Sequence, residues 1–406
     1  MTEFTIDRRG FLISSAAVSW GALVSVGGAG WAVRARGAGA GESSLIVHSE
    51  SPLNGEPAAA DLVREWITPT KLFYVRNHGP TPALDAATFR VRVSGLVENE
   101  LELSVGELGE KFPASSRVAT LICAGCRRSE LNDEKPIAGV PWGVGAIGNA
   151  AWSGVSLADV LRLAGVKEGA KHVWFESVDR VEKDGHAFAF GASIPLEKAL
   201  GDPRSGLGPL LATEMNGQSL EPSHGFPLRA VVPGFIGARS VKWLGKIVVS
   251  DRPNPNYFMT TAYKMVADSG AAQQQTQTQT QTDPICEFPI NAAICASETG
   301  RGGGAKRVAV RGYALPSGYA ERTIARVEVS SDGGATWWTA DLEEPSRPFC
   351  WRLWKAEVPI PAMTKELIAR ATDSAGVTQP ERARWNAGGY LCNAWHRVPV
   401  EQHEGM

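Results

Sequence analysis

The chain has 406 residues, 43% of them hydrophobic and 21% charged, enough apolar material for two ordinary domains, which excludes a disordered chain or a disulfide-stapled miniprotein. Lys and Arg total 41 against 43 Asp and Glu, a formal charge of -2, so nothing in the balance points to nucleic acid or another polyanion as partner. Six cysteines in so long a chain do not make a scaffold, but they raise the question of compartment.

The first forty residues answer it. Asp7-Arg8-Arg9-Gly10-Phe11-Leu12 precedes an apolar stretch from Ile13 to Ala29, and small residues follow through Ala40, which reads as a twin-arginine export signal over residues 1–40. Ser14, Ser15, Ser19 and Ser25 make the stretch weakly hydrophobic for a permanent span, although an uncleaved anchor is the other reading. Cleavage near Ala40 removes Arg8, Arg9, Arg34 and Arg36 with Glu3 and Asp7, taking the formal charge from -2 to -4. The route carries folded proteins and serves those whose cofactor is inserted before export, so a complex cofactor is expected. No later stretch is long and apolar enough to cross a bilayer, so the expected mature protein is periplasmic and not integral to the membrane.

Residues 41–270 read as α+β. Cys123-Ala-Gly-Cys126-Arg127-Arg128 sets two thiols beside two guanidinium groups, and a neighbouring cation favours the thiolate, the form that ligates metal. A structural disulfide or a zinc half-site is an alternative, but no second Cys or His pair at matching spacing supports zinc. Covalent haem attachment is excluded because Arg127, not His, follows Cys126. A dithiol redox pair and a cofactor ligand both remain open on spacing alone. Further along, Ser156 stands in N-cap position before Leu157–Ala164, whose apolar residues recur at helical spacing, and Gly165 stops the helix. His172–Phe175, Leu228–Val232 and Ile247–Val249 read as strands.

A low-complexity Gln/Thr tract over 271–284 has no apolar face to bury and reads as a loop. Residues 285–406 then change to short strands, at Val308–Val310, Arg326–Ser330, Trp337–Trp338 and Leu367–Ala371. Ser331-Asp-Gly-Gly334 is a hairpin turn signal between two of them, and the whole reads as a β-sandwich with Trp337 and Trp338 in its core or at an interface.

Six segments in order carry a resemblance: Phe73–His78, Cys123–Arg128, Ser177–Arg180, His224–Arg229, Gly237–Trp243 and Asn393–Arg397. Together, from about residue 45 to 400, they resemble the motifs of the sulfite oxidase family, nearest to its haem-free periplasmic sulfite dehydrogenases. The resemblance implies an α+β molybdopterin domain followed by an immunoglobulin-like dimerisation domain. It implies a molybdenum-molybdopterin cofactor, no haem on this chain, and Cys123 as the metal ligand. It places Tyr74, Val75, Arg76, Asn77, His78, Asp179, His224, Arg229, Ser240, Val241 and Lys242 around the pterin and its phosphate. Arg76, Arg128 and Tyr263 match residues around the substrate, and a guanidinium suits sulfite because it stays charged and can hold an oxyanion with two hydrogen bonds.

The implied reaction is oxidation of sulfite to sulfate by oxygen-atom transfer, with electrons passing singly to a separate c-type cytochrome and the chain working as a homodimer or with a cytochrome subunit. The rival readings are a molybdenum enzyme acting on sulfane sulfur or a sulfoxide, a metal-free binding protein, and a Cys123/Cys126 dithiol oxidoreductase. Two positions depart from the family pattern. Cys126 stands where many members have Asn, and Gly388 stands near an arginine of the animal members.

Overall fold

The computed structural model describes residues 44–201, 207–266, 283–299, 307–361 and 363–400. The export signal expected over 1–40 and nearly all of the Gln/Thr tract lie outside the described residues.

Two five-stranded sheets build the first part of the chain. One runs in the order Gly191–Pro195, His172–Ser177, Leu244–Ser250, Arg90–Gly95, Leu101–Ser104. Its pairs are antiparallel except Leu244–Ser250 with Arg90–Gly95, where Lys246 faces Arg92 in a parallel ladder between segments far apart in the chain. The other sheet pairs Ala114–Ile122 with Ile147–Ser156, then Leu210–Met215, which also pairs with Gln218–Ser219 and Arg229–Val231. Helix Leu157–Ala164 forms where its spacing predicts, burying Leu157, Ala158, Val160, Leu161 and Ala164. Gly165 ends it at φ 69°, a conformation only glycine adopts cheaply. Ser156 holds the N-cap position but its side chain makes no capping bond. The reciprocal capping box sits instead at Ser104 and Glu107, opening helix Val105–Lys111.

The second part is a pair of four-stranded antiparallel sheets. Asn291–Thr299, Arg307–Leu315, Arg352–Pro359 and Asp341–Leu342 form one, and Trp338–Thr339, Ile324–Ser330, Glu366–Asp373 and His396–Pro399 the other. Alternate residues such as Val308, Val310, Val327, Val329, Val358, Leu367 and Ala369 point inward to a core around Trp354. The chain is therefore α+β with a separate sandwich domain. Gly333 and Gly334 take φ of 76° and 96° in the predicted hairpin turn. The tryptophans beside it are not in the core: Trp338 is 39% exposed, and Trp337 packs edge-on against Trp395 with the Arg370 guanidinium 3.9 Å above its ring. Tyr313, Trp351 and Leu353 leave the sandwich core and pack into the large core of the first part. No helix among the described residues is long and apolar enough to cross a membrane.

Candidate functional site

Cys123 follows directly on strand Ala114–Ile122, where the chain turns back on itself. Its N–H donates to the Ala146 carbonyl at 2.9 Å, and the Cys126 and Arg127 N–H groups donate to the carbonyls of Cys123 and Gly143 at 2.9 and 2.8 Å. Glu56 fixes the opposing loop from a distant strand, accepting from the N–H groups of Gly143 and Gly145 at 2.8 Å each. The Cys123 thiol is bonded to no other sulfur, accepts the Gly125 N–H at 3.4 Å, and lies in the wall of a cavity whose empty space, open solvent included, is about 660 Å³.

Of the predicted residues, Tyr74, Arg76, Asn77, His78, Cys123, Asp179, His224, Arg229, Ser240, Val241, Lys242 and Tyr263 line this one cavity. Val75 does not: it is buried and pairs with Gly55. Arg128 does not either. It is buried beside the cavity, its Nη1 donating to the Val140 carbonyl at 2.9 Å and its guanidinium 5.5 Å from the centre of the Tyr390 ring. Phe73, Leu121, Ala124, Ser177, Phe190, Gly237, Ala238 and Trp243 also face the cavity. Phe73, Ala124, Ser177, Gly237, Ala238 and Trp243 sit inside segments already singled out in the sequence, whereas Leu121 and Phe190 lie outside them.

The electrostatics of the cavity are lopsided. Arg229 donates to the carbonyls of His224 and Ser240 at 2.8 and 3.1 Å, and Lys242 donates to Asn77 Oδ1 and the Ser223 carbonyl. Arg76 donates to Asn54 Oδ1 at 3.1 Å and to the Asn77 carbonyl. Against these three cations the wall sets one carboxylate, Asp179, which accepts the Phe190 N–H at 2.8 Å. Burial pushes the Arg229 pKa down to about 10, and burial with the Arg229 charge holds Lys242 well below the ordinary lysine value. Burial also raises Asp179. For Arg229 and Lys242 burial thus outweighs the counter-charge nearby, which suits the cavity to an anion.

His224 is held neutral, its pKa lowered to about 3 by burial and then by Lys242 and Arg229. Its Nε2 lies 3.2 Å from the Thr70 carbonyl, so that nitrogen carries the proton and donates. His78 is likewise lowered well below its usual value by burial, Arg76 and Lys242, and its Nε2 lies 2.9 Å from Tyr263 Oη. Burial raises the Tyr263 phenol above its usual value, so it keeps its proton. Tyr263 and Trp243 both hold positive φ, 55° and 50°, a costly backbone state for large side chains that commonly marks functional sites.

Cys126 behaves differently from the sequence expectation. Burial raises its pKa well above the ordinary thiol, outweighing Arg127. The Arg127 side chain is engaged elsewhere, forking onto the two Glu130 oxygens at 2.6 Å each and reaching Asn291 Oδ1 at 3.0 Å and the Ala292 carbonyl at 3.1 Å. The Cys126 sulfur instead lies 3.8 Å from the Gly143 and Val144 carbonyls and 3.9 Å from Tyr313 Oη. All six cysteines fall among the described residues, and no disulfide joins any of them.

Residues 78–258 match a family model described as the oxidoreductase molybdopterin binding domain, and residues 282–403 match one described as the Mo-co oxidoreductase dimerisation domain. The chain is 41% identical over 363 residues to a sulfite oxidase of Gallus gallus, an alignment covering 87% of this chain and 77% of that one. It is 40% identical over 376 residues to a sulfite oxidase of Arabidopsis thaliana, covering 87% and 93%. Its fold superposes on the crystal structure of the sulfane dehydrogenase SoxCD from Paracoccus pantotrophus with a TM-score of 0.72 at 25% identity, over 92% of this chain and 93% of the other.

Proposed function

Because the chain belongs to the sulfite oxidase family and carries a molybdopterin-binding domain, we propose that it oxidises sulfite to sulfate at a molybdenum-molybdopterin centre. The observation that carries this reading is an unpaired thiol, Cys123, in the wall of a cavity lined by three cations against one carboxylate. That donor set fits the cofactor: a soft thiolate for the metal, and Arg229 and Lys242 for a phosphate. Tyr74, Asn77, His224, Ser240 and Val241 add hydrogen-bonding groups and walls, with Asp179 an acceptor for a pterin N–H. When bound, the cofactor supplies the two-electron couple and the oxygen-atom transfer, chemistry no side chain of the cavity can supply.

The chain's own residues bind and orient. Arg76 presents fixed positive charge to an incoming sulfur oxyanion, and Arg128 adds to it from beside the cavity. The protonated phenol of Tyr263, aligned by His78, serves as a donor to a substrate oxygen. The neutral His224 adds no charge to the cavity, which keeps its positive field from deepening further. The balance is sulfite plus water giving sulfate, two protons and two electrons, and a separate c-type cytochrome takes the electrons one at a time. Export by the twin-arginine route to the periplasm, domains at 41–270 and 285–406, and a homodimer formed through the second of them complete the reading; the dimerisation-domain match supports the last.

The test is sulfite-dependent reduction of ferricyanide by protein produced in a host that makes molybdopterin, beside Cys123→Ser, with molybdenum quantified in both. We expect activity in the parent and its loss in the variant. A fully molybdenum-loaded parent that leaves sulfite untouched rejects the reading. The resemblance to a sulfane dehydrogenase and the glycine at 388 favour a second substrate class, protein-bound or small-molecule sulfane sulfur, which the same assay examines by substitution of the donor.

A further inference from the structure

The turn Asn386–Tyr390 closes one side of the site without lining the cavity. Asn386, 1% exposed, clasps it: its Oδ1 accepts the Tyr390 N–H at 3.0 Å and its Nδ2 donates to the Tyr390 carbonyl at 2.8 Å. The next residue, Leu391, donates its N–H to the Ala124 carbonyl at 2.7 Å, fastening the turn to the residue that follows Cys123. The Tyr390 ring is thereby stacked on Tyr263, centroids 5.2 Å apart at 27°, and set against the Arg128 guanidinium. Its hydroxyl accepts the Tyr263 N–H at 3.4 Å. One side chain thus touches two of the residues assigned to the substrate.

The second observation concerns the glycine two positions earlier. A Cβ on Gly388 would stand 2.3 Å from Tyr390 Cε2 and 2.6 Å from Cδ2, closer than real atoms approach. The ring is held by Tyr263, Arg128 and the Asn386 clasp, so it cannot swing aside without abandoning them. Position 388 therefore accepts no side chain while Tyr390 keeps its place. The Arg128 Nε is buried with no hydrogen-bond partner, leaving the guanidinium a donor to spare.

We propose that Tyr390 is a positioning residue: it aligns Tyr263 and Arg128, and its ring closes position 388 to any side chain while it does so. This rests on the reading of the site as one that oxidises a sulfur oxyanion.

The experiment uses the full, molybdenum-loaded chain as parent, Tyr390→Ala, Tyr390→Phe, Gly388→Arg and the double variant Gly388→Arg/Tyr390→Val. It reads kcat and KM for sulfite and, independently of turnover, the sulfate dissociation constant by calorimetry. Gly388→Arg alone should displace the Tyr390 ring, weaken sulfate binding and lower kcat/KM for sulfite as Tyr390→Ala does, and the double variant should lose no more than either single change, because both act through the same ring. Tyr390→Ala should lose about tenfold in kcat/KM at unchanged molybdenum content, with Tyr390→Phe restoring most of it, because the stacking ring rather than the long hydroxyl contact does the aligning. A Tyr390→Ala variant with the parent's kcat/KM, or a double variant whose loss is the sum of the two single losses, overturns the proposal. If the loaded parent binds sulfate but oxidises no sulfite, the proposed reaction fails while the sulfate measurements still decide the role of Tyr390.

Discussion

At the scale of single residues, burial and neighbouring cations move the titrations of the groups around the site. Lys242 and Arg229 are cations whose burial makes charge expensive, and His78 and His224 are imidazoles kept neutral by the same burial and the same cations. His396 follows the pattern away from the cavity. Its Nδ1 accepts the Ile294 N–H at 3.0 Å, which requires a neutral ring, and burial lowers its pKa from 6.5 to about 4, with Arg127 helping and Glu130 opposing. Above pH 6.5 the folded and unfolded rings are both neutral and the group is silent. Between 6.5 and about 4 only the unfolded chain takes up the proton, so stability falls as pH falls, by up to about 1.4 kcal/mol per pH unit for this residue. His224 adds to the same slope down to about pH 3. His396→Gln, whose amide oxygen accepts the same N–H without titrating, should flatten the urea-midpoint profile between pH 6.5 and 4; an unchanged slope would assign the acid sensitivity elsewhere.

At the scale of elements, the helices are set by their ends and the strands by what covers them. Helix Val105–Lys111 is too short to persist on propensity, and its capping box satisfies two otherwise orphaned donors. Ser104→Ala should lower stability by about 1 kcal/mol, read as a shifted denaturation midpoint with unchanged m-value. Ser156→Ala should cost much less, because the Ser156 side chain makes no capping bond. That contrast separates a residue in capping position from one that caps. Gly154 shows the other kind of constraint. It lies mid-strand where a Cβ would stand 2.0 Å from the Leu211 carbonyl oxygen, so the close approach of two backbones, not a turn, excludes every larger residue.

At the scale of the whole molecule, the sandwich is joined to the first part of the chain through the same loop that carries Cys123. Arg127, fully buried, ties that loop to Asn291 and Ala292 at the start of the sandwich's first strand, while Tyr313 reaches back to the Val144 carbonyl at 3.1 Å. Two adjacent arginines therefore do different jobs: Arg127 joins domains and Arg128 lies beside the site. Arg127→Met strips donors from two buried acceptors and from a Glu130 carboxylate that is 33% exposed, and should cost about 3 kcal/mol. The loss should appear as a lower urea midpoint in protein with and without cofactor, since the contact does not involve the cavity. Equal stability to the parent would mean that Arg127 contributes nothing net to the junction.

Much of this was legible in the residues. Helical spacing before Gly165, alternation from Val308 onward and the Asp-Gly-Gly turn are local signals, and local physics decides them. Twelve of the fourteen predicted site residues reach one cavity, eleven of them from ordered motifs whose spacing encodes a shared fold. What the residues alone could not decide is direction. Whether Arg127 or Arg128 faces the site, whether Cys126 joins Cys123 or turns to Tyr313, and whether Trp337 goes inward all depend on contacts more than a hundred residues away or across a sheet. The chemistry of a side chain is a property of its sequence position, but its partner is fixed only when distant backbone arrives. That is why Phe190, Leu121 and Tyr390 emerge only from the folded chain.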